Sequence, residues 1–445
     1  MAKPFTYQNY KILAPMVRMG TLPLRLLSLD YGADLVYCEE IIDHKLVKCK
    51  RVENEVLNSI DFVHPDGQCV FRTCRQETDK VILQLGTADP ERALLTAKLV
   101  ENDVAGIDIN MGCPKEYSTK GGMGAALLTE PQKVYNILKK LVDNCLKPVT
   151  CKIRILPKLQ DTLDLAKVIE STGVAAVAIH GRLKVERPRQ PVHKDIIRTI
   201  SNSLSIPVIA NGGSLEIKSF SDIEKFQQET NSSSVMIARA AQWDPSIFRK
   251  EGSLPTDEIV KSYIKYAIDY DNSWSNSKYC ITHFMRGKSE TDKGIKLMKA
   301  SSMSDVSALW GLDSYYHSVM SKRKEFIKSI DCVPSLKNSN AKASGGSDAE
   351  MIPFHDYSNY SRNVSNSCVT PKSLLYQWSK KNGYDAPIYS SNVEPQSKLF
   401  RSHVTINGEK YSSQGRGQKN KRSAEQLAAY TCLKSLKIDT KTNSA

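Results

Sequence analysis

Eight short apolar segments in the first half of the chain end in residues that can bind a ligand or donate a proton. Cys113 lies in NMGCP, Lys152 and Arg154 in CKIR, and His180 in AIHG. A single polar residue at such a position commonly does no more than close a strand. All eight ends supply a polar group, a proline turn or a glycine-rich turn, so we interpret them as parts of one site. The set is Pro15, Met16, Glu39, Gln84, Asn110, Cys113, Lys152, Arg154, His180, Asn211, Gly212, Gly213, Ala238 and Arg239.

Asn211-Gly212-Gly213 and Ala238-Arg239 have the composition of a phosphate-binding site. Glycines let backbone N–H groups approach an anion, and arginine adds a charge-assisted hydrogen bond. The alternative is that both segments are structural turns. A phosphate site here favours FMN or a sugar phosphate. No GxGxxG follows an opening strand, which argues against a tightly held dinucleotide.

Lys152, His180 and Gln84 are suited to contact a flavin ring. Reduced flavin carries negative charge that a nearby ammonium stabilises, and the Gln84 amide can hydrogen-bond the ring edge. A buried lysine without a partner is costly, which favours a bound anion. His180 taken alone is equally consistent with a core histidine. Cys113 is either a buried thiol at a glycine-rich turn or a thiol presented to a substrate.

The segments that carry these residues alternate with stretches of helical periodicity up to about residue 241. Continuous apolar, β-branched runs are typical of strands buried on both faces of a parallel sheet. Eight such units predict a TIM (β/α)8 barrel, an α/β fold whose active site lies at the carboxyl ends of its strands. The predicted strands cover 11–16, 35–40, 81–86, 106–112, 149–154, 175–181, 207–213 and 234–241.

The rest of the chain divides by composition. Residues 1–254 are expected to form the barrel domain, with an inserted hairpin at Pro65-Asp66-Gly67. Residues 255–335 have helical periodicity and predict a small helical domain. Residues 336–369 are rich in Ser, Asn and Gly and predict a flexible linker. Residues 370–438 predict a compact α+β unit of helix, two strands and helix, with a third strand whose position the pattern does not fix.

The composition of the 445 residues, 40% hydrophobic and 25% charged, is typical of a soluble globular protein. Residues 370–445 hold thirteen Lys and Arg against five Asp and Glu, which is +8 of the total +14. This concentration predicts a polyanion-binding unit. The eleven cysteines include no CxxC pair and predict neither a zinc site nor a disulfide framework. Without a membrane-length apolar run or a targeting segment, a cytoplasmic location is expected.

Six motifs resemble those of the tRNA-dihydrouridine synthases and span nearly the whole barrel. The C-terminal unit is similar to a double-stranded RNA-binding domain, an arrangement found in the eukaryotic synthase 2-like branch of the family. The motifs are APM at 14–16, NMGCP at 110–114 followed by KGGMGAALL, CKIR at 151–154, AIHGR at 178–182, ANGG at 210–213 and ARAA at 238–241.

The resemblance implies an FMN enzyme that uses NADPH to reduce the C5–C6 bond of a uridine in the tRNA D-loop, at position 20 by its branch. Hydride would pass from FMN to C6, and Cys113 would protonate C5; a thiol with a pKa near ~8.5 is mostly protonated at neutral pH. Asn110, Arg154 and the strand-end Glu39 are the expected substrate contacts. The expected FMN contacts are Pro15, Met16, Val17, Gln84, Lys152, His180, Asn211, Gly212, Gly213, Ala238 and Arg239.

The C-terminal unit departs from the RNA-binding pattern that it resembles. Ser397 stands where a loop histidine is expected, and Glu425 replaces one lysine of the basic group at the second helix. The remaining expected RNA contacts are Gln377, Lys419, Lys421 and Arg422. We therefore expect salt-sensitive docking on tRNA in cooperation with the barrel.

Two other interpretations fit part of the sequence. An FMN barrel that reduces a free small molecule explains the barrel but not the basic tail. A non-catalytic RNA-binding scaffold explains the tail but not the joint presence of Cys113, Lys152 and Arg239. Flavin absorbance of the purified protein separates the scaffold from the enzymes. We expect a monomer that has tRNA as its partner, binds no metal ion and does not associate with a membrane.

Overall fold

The computed structural model describes residues 6–65, 68–187, 189–331, 370–395, 397–412, 417–418 and 420–436, without the side chains of 327–331, 373, 377, 380 and 381. The described chain forms two compact units, which divide after residue 333 and are described separately. The linker predicted over 336–369 lies outside the described residues.

The first unit is built around a closed parallel barrel. Eight strands follow one another in the order β2, β1, β12, β11, β10, β9, β8 and β7, and pairing of β2 with β7 closes the ring. The predicted barrel is therefore confirmed. The strands of this unit are β1 Lys11–Leu13, β2 Leu35–Tyr37, β3 Ile41–Ile42, β4 Lys50–Asn54, β5 Ser59–Val63, β6 Cys69–Thr73, β7 Val81–Gly86, β8 Gly106–Met111, β9 Val149–Arg154, β10 Ala176–His180, β11 Val208–Asn211 and β12 Ser234–Ile237.

Alternation along the barrel strands separates two cores. Ile12, Tyr37, Ile82, Ala178 and Met236 belong to one buried cluster inside the ring, while the residues between them pack outward against the helices. The helices around and after the barrel are α1 Leu22–Asp30, α2 Asp43–Leu46, α3 Pro90–Val100, α4 Glu116–Thr119, α5 Pro131–Asn144, α6 Leu159–Ser171, α7 Lys194–Ser203, α8 Phe220–Thr230 and α9 Arg239–Trp243, with 3-10 turns at Gly124–Thr129 and Pro245–Phe248.

The insertion after the second barrel strand is a three-stranded antiparallel sheet of β4, β5 and β6. The predicted hairpin accounts for β5 and β6, whereas β4 was not predicted; Asp66 and Gly67 at the turn lie outside the described residues. Buried Arg25 of α1 pairs with Glu77, which follows β6, at 2.6 Å. The same arginine donates a hydrogen bond to the carbonyl of Arg72 in β6, so Arg25 links α1 to the small sheet.

Five helices follow the barrel within the same unit. They are α10 Thr256–Asp269, α11 Trp274–Phe284, α12 Asp292–Lys299, α13 Met303–Leu309 and α14 Asp313–Asp331. The predicted helical character of this region is confirmed, and α10 packs on α1 through a shared apolar core. No helix in the described part of the chain is both long and apolar enough to cross a membrane.

The described part of the second unit has the order α-β-β-β-α. Its elements are α15 Pro371–Lys381, β13 Ile388–Val393, β14 Phe400–Ile406, β15 Glu409–Ser412 and α16 Lys421–Ser435. β14 pairs antiparallel with both neighbours, and the Asn407-Gly408 turn, with both residues at positive φ, joins it to β15. The strand that the sequence pattern did not place is β13.

Candidate active site

The carboxyl ends of the barrel strands bring the predicted polar residues onto one ring. Register pairs Asn110 with Lys152, His180 with both Arg154 and Asn211, and Asn211 with Met236. Within β7 to β11, Gln84, Asn110, Lys152, His180 and Asn211 alternate in phase with the inward-facing core residues. The strand-end residues therefore share the inner face of the barrel at one end.

Cys113 lies in a loop that the Asn110 side chain shapes. The Asn110 Oδ1 atom accepts hydrogen bonds from the backbone N–H groups of Gly112, at 3.0 Å, and Cys113, at 3.1 Å. Gly124 has φ +57°, and a Cβ there would stand 2.7 Å from the Cys113 carbonyl oxygen. The Cys113 side chain is half-buried at the barrel mouth rather than enclosed in the core. Of the two sequence interpretations, this placement favours a presented thiol.

Two residues next to Cys113 were not predicted as site residues. Cys113 Sγ donates to Tyr117 Oη at 3.6 Å, and Tyr117 Oη donates to Glu40 Oε2 at 3.1 Å. Burial, the Glu40 charge and the Glu40 hydrogen bond raise the pKa of Cys113, and these effects outweigh those that lower it. The sequence signal for Glu40 was its place at the end of LVYCEE. Its neighbour Glu39, which we predicted instead, accepts a 2.7 Å hydrogen bond from the backbone N–H of Arg18.

Four cationic side chains lie around His180. Burial, reinforced by Lys152, Arg154, Arg182 and Arg239, holds the pKa of His180 well below its ordinary value, so the imidazole is neutral. Burial and Arg154 lower the pKa of Lys152 to about 8. Lys152 Nζ makes no hydrogen bond with any described residue. This arrangement favours a bound anion, because a buried ammonium without a partner is costly.

A hydrogen-bonded network lies one layer deeper in the barrel. Asp108 accepts from Gln84 Nε2 at 2.8 Å and from Thr150 Oγ1 at 2.7 Å. Burial raises the pKa of Asp108 to about 6, although these hydrogen bonds oppose the shift. Asp108 was not predicted as a site residue, because DIN reads as an ordinary strand segment. The hydrogen bond from Gln84 to Asp108 orients the Gln84 amide so that its nitrogen points toward Asp108.

The turns after β11 and β12 adjoin the loop after β1. Asn211 Nδ2 donates to the Met236 carbonyl at 2.8 Å, and the Arg239 N–H donates to Ser214 Oγ at 3.0 Å. Gly212 has φ +122°, and a Cβ on Gly213 would stand 2.7 Å from the Phe226 ring. The backbone conformation at Gly212 and the packing at Gly213 therefore each require glycine, which is the structural role that the sequence left open.

The first strand leads its loop to the same end of the barrel. The Ala14 N–H donates to the Ile237 carbonyl, which places Pro15, Met16 and exposed Val17 beside Ala238 and Arg239. The Met16 carbonyl accepts from the N–H groups of Met19 and Gly20 and forms a tight turn. No group of three or more potential metal ligands occurs among the described residues.

Two of the four predicted RNA contacts are described in the second unit. Lys421 and Arg422 are exposed in the first turn of α16, where Asn420 caps the helix by accepting from the Ser423 N–H. Glu425 pairs with Lys372 of α15 at 2.5 Å and with Lys421 at 4.0 Å. Glu425 stands where a lysine is expected, and Lys372 of the other helix thus supplies a positive charge beside it. The Gln377 side chain and Lys419 lie outside the described residues.

Comparison with known proteins places the chain in one class, the (β/α)8-barrel oxidoreductases. Residues 12–300 match the model of the family described as dihydrouridine synthase (Dus), and residues 371–436 match the double-stranded RNA binding motif. The chain therefore belongs to the dihydrouridine synthase family and carries a double-stranded RNA-binding domain.

Two fungal relatives are similar over most of their length. The tRNA-dihydrouridine(20) synthase [NAD(P)+] of Schizosaccharomyces pombe is 38% identical over 352 residues, 75% of this chain and 72% of that protein. The Saccharomyces cerevisiae protein of the same name is 40% identical over 304 residues, 64% of this chain and 79% of that protein. A crystal structure of a tRNA-dihydrouridine(20) synthase dsRBD domain is 36% identical over 16% of this chain and 77% of that one, with a TM-score of 0.16.

Proposed function

We propose that this chain is an FMN-dependent tRNA-dihydrouridine synthase that uses NADPH to reduce the C5–C6 bond of uridine 20 in the tRNA D-loop. The observation that carries the proposal is the juxtaposition of a presented thiol, Cys113, with a buried cationic cluster at the carboxyl end of a parallel barrel. The two fungal relatives bear the name of this activity.

The residues around His180 fit an anionic cofactor. Lys152, Arg154, Arg182 and Arg239 concentrate positive charge there, and Lys152 lacks a hydrogen-bonding partner among the described residues. We assign the ring contacts to Lys152, His180 and Gln84. The phosphate contacts fall to Asn211, Gly212, Gly213, Ala238 and Arg239, with Pro15, Met16 and Val17 beside them. Bound FMN, reduced by NADPH, would supply a hydride to C6.

The chain's own residues supply the proton and hold the base. Cys113 donates a proton to C5, which its raised pKa supports because the thiol stays protonated at neutral pH. Asn110 and Arg154 lie on strands adjoining the cysteine loop and are assigned to the uracil, together with Glu39. Arg154 donates to the Gly112 carbonyl at 2.8 Å, so the same side chain also steadies the loop. The target base leaves its stack to reach this site, which costs less in a tRNA loop than in a duplex.

The domain assignment follows from the same proposal. Residues 1–254 form the catalytic domain, 255–335 the helical domain and 370–438 the RNA-binding domain, joined by 336–369. Lys421 and Arg422, with Lys419 and Gln377, contact the tRNA, mostly through its phosphates. We place the enzyme in the cytoplasm as a monomer.

The proposal is tested by incubating the full-length protein with NADPH and unmodified tRNA and mapping dihydrouridine by reverse transcription and mass spectrometry. We expect a flavin absorbance spectrum and dihydrouridine at position 20. Reduction of free uracil or uridine at a comparable kcat/KM would instead support a small-molecule reductase. A colourless protein that binds tRNA and does not modify it would support the scaffold.

A further inference from the structure

Glu40 is a half-buried carboxylate beside the presented thiol, and the proposed chemistry leaves it without a role. Besides the hydrogen bond from Tyr117 Oη, its Oε1 atom accepts from Ser118 Oγ at 3.3 Å. A Cβ on Gly86 would stand 2.7 Å from Glu40 Oε1, so the glycine at the end of β7 leaves room for the carboxylate. Three separate segments therefore position this one group: the end of β2, the end of β7 and the loop that carries Cys113.

Cys113 interacts with charges of both signs. The Glu40 charge raises the pKa of Cys113. Lys152 and Arg154, on the neighbouring strand, also interact electrostatically with Cys113. Cationic neighbours favour the thiolate form of a cysteine. A thiolate cannot protonate C5, so the cations that suit an anionic cofactor work against the acid that the reaction needs.

We propose that Glu40 is a positioning residue that keeps the Cys113 thiol protonated against the pull of Lys152 and Arg154. The role of Glu40 in the reaction rests on the proposed function, whereas the electrostatic effect of Glu40 on the Cys113 thiol does not depend on that function. The Tyr117 hydroxyl joins the two groups and holds the sulfur in a fixed geometry. Each turnover moves the Sγ proton to C5 and leaves a thiolate beside the carboxylate. Because that pair of negative charges is unfavourable, Sγ takes a proton back from water.

The direction of the pKa effects agrees with this role. The Glu40 charge raises the pKa of Cys113, while the Tyr117 hydrogen bond lowers it. Burial raises the pKa of Glu40, whereas hydrogen bonds from Tyr117, Cys113, Ser118 and Asn110 oppose that shift and favour the ionised form. Removal of the charge and removal of the hydroxyl should therefore shift the Cys113 titration in opposite directions.

The test is the pH dependence of Cys113 alkylation in the full-length holoprotein. The rate of iodoacetamide labelling is followed by mass spectrometry of the peptide that contains Cys113, in the wild type and in Glu40→Gln. We expect the apparent pKa of Cys113 to fall by about one unit in Glu40→Gln. Tyr117→Phe should raise it, because the hydrogen bond with the Tyr117 hydroxyl lowers the pKa of Cys113. Glu116→Gln, which removes an exposed carboxylate from the same loop, is the matched control and should not shift it.

Two results would overturn the inference. One is an unchanged or higher Cys113 pKa in Glu40→Gln; the other is an equal fall in Tyr117→Phe, which would assign the effect to the hydroxyl. Glu40→Asp retains the charge and should restore most of the wild-type pKa, which guards against a merely misfolded loop. Since alkylation needs no tRNA, a wild-type protein that makes no dihydrouridine would refute the proposed function without affecting this result.

Discussion

At the level of single residues, the polar strand ends follow from sequence because alternation and strand direction place them together. Asn110, Lys152 and His180 share the inner face for that reason. Glu40, Tyr117 and Asp108 could not be found in the same way. Glu40 and Cys113 are far apart in sequence and meet only through the loop geometry, and Asp108 gains its role from Gln84 and Thr150 on neighbouring strands.

Lys152 should make FMN binding depend on pH. Its pKa, lowered by burial to about 8, means that the free protein loses the ammonium charge as pH rises through that value. A bound anion favours the charged form, so the affinity should be highest below pH 8 and should fall toward pH 9. Quenching of FMN fluorescence measures this in the cofactor-stripped protein. Lys152→Met should bind more weakly at pH 7 and show little change to pH 9; a slope equal to that of the wild type would exclude Lys152 as the titrating group.

At the level of elements, strands with an unbroken apolar sequence were predictable from the sequence, and strands that lack one were not. β4, with sequence KRVEN, is largely exposed and pairs only with β5 within its described sheet. β13, with sequence IYSSNV, is rich in serine. Neither shows the β-branched continuity of β7 or β9. The Arg25–Glu77 pair was also hidden, because charged residues 52 positions apart give no local signal.

Removal of Glu77 should destabilise the first unit strongly. Both side chains are at most 2% exposed, and Glu77→Ala would leave the Arg25 charge buried without its partner. Breaking a buried pair in this way costs about 3 to 5 kcal/mol. Urea denaturation followed by tryptophan fluorescence should show an earlier first transition. Glu53→Ala, which removes an exposed carboxylate paired with Arg51, is the control and should change stability by less than about 1 kcal/mol. A similar small change for Glu77→Ala would contradict a structural role for the buried pair.

At the level of the whole molecule, positive charge is concentrated in the C-terminal unit, and the two units differ in the function that we propose for each. The barrel carries the residues that we propose for the chemistry, and the basic C-terminal unit matches the double-stranded RNA binding motif and pairs its acidic Glu425 with Lys372. The sequence predicted both folds through motif and charge. It did not reveal the Lys372 pairing, since that interaction depends on how α15 packs against α16.

Substitution of the exposed cations of α16 should weaken tRNA binding without affecting cofactor chemistry. In the full-length protein, Lys421→Ala combined with Arg422→Ala should raise the Kd for tRNA. It should also reduce the slope of log Kd against log salt by about one for each phosphate that the protein no longer neutralises. The control is Lys434→Ala, at the opposite end of the same helix, and NADPH oxidation by bound FMN should stay unchanged in both. Wild-type tRNA affinity in the double variant would remove these residues from the interface.

The central claim, that Cys113 protonates C5 of a tRNA uridine, is tested most directly by single-turnover reduction of unmodified tRNA. The holoprotein is first reduced with NADPH and then mixed with tRNA, and flavin reoxidation and dihydrouridine are followed together. In Cys113→Ala we predict normal reduction of FMN by NADPH but a rate of tRNA reduction at least about a hundredfold below that of the wild type. Full wild-type reduction of tRNA by Cys113→Ala would contradict the claim.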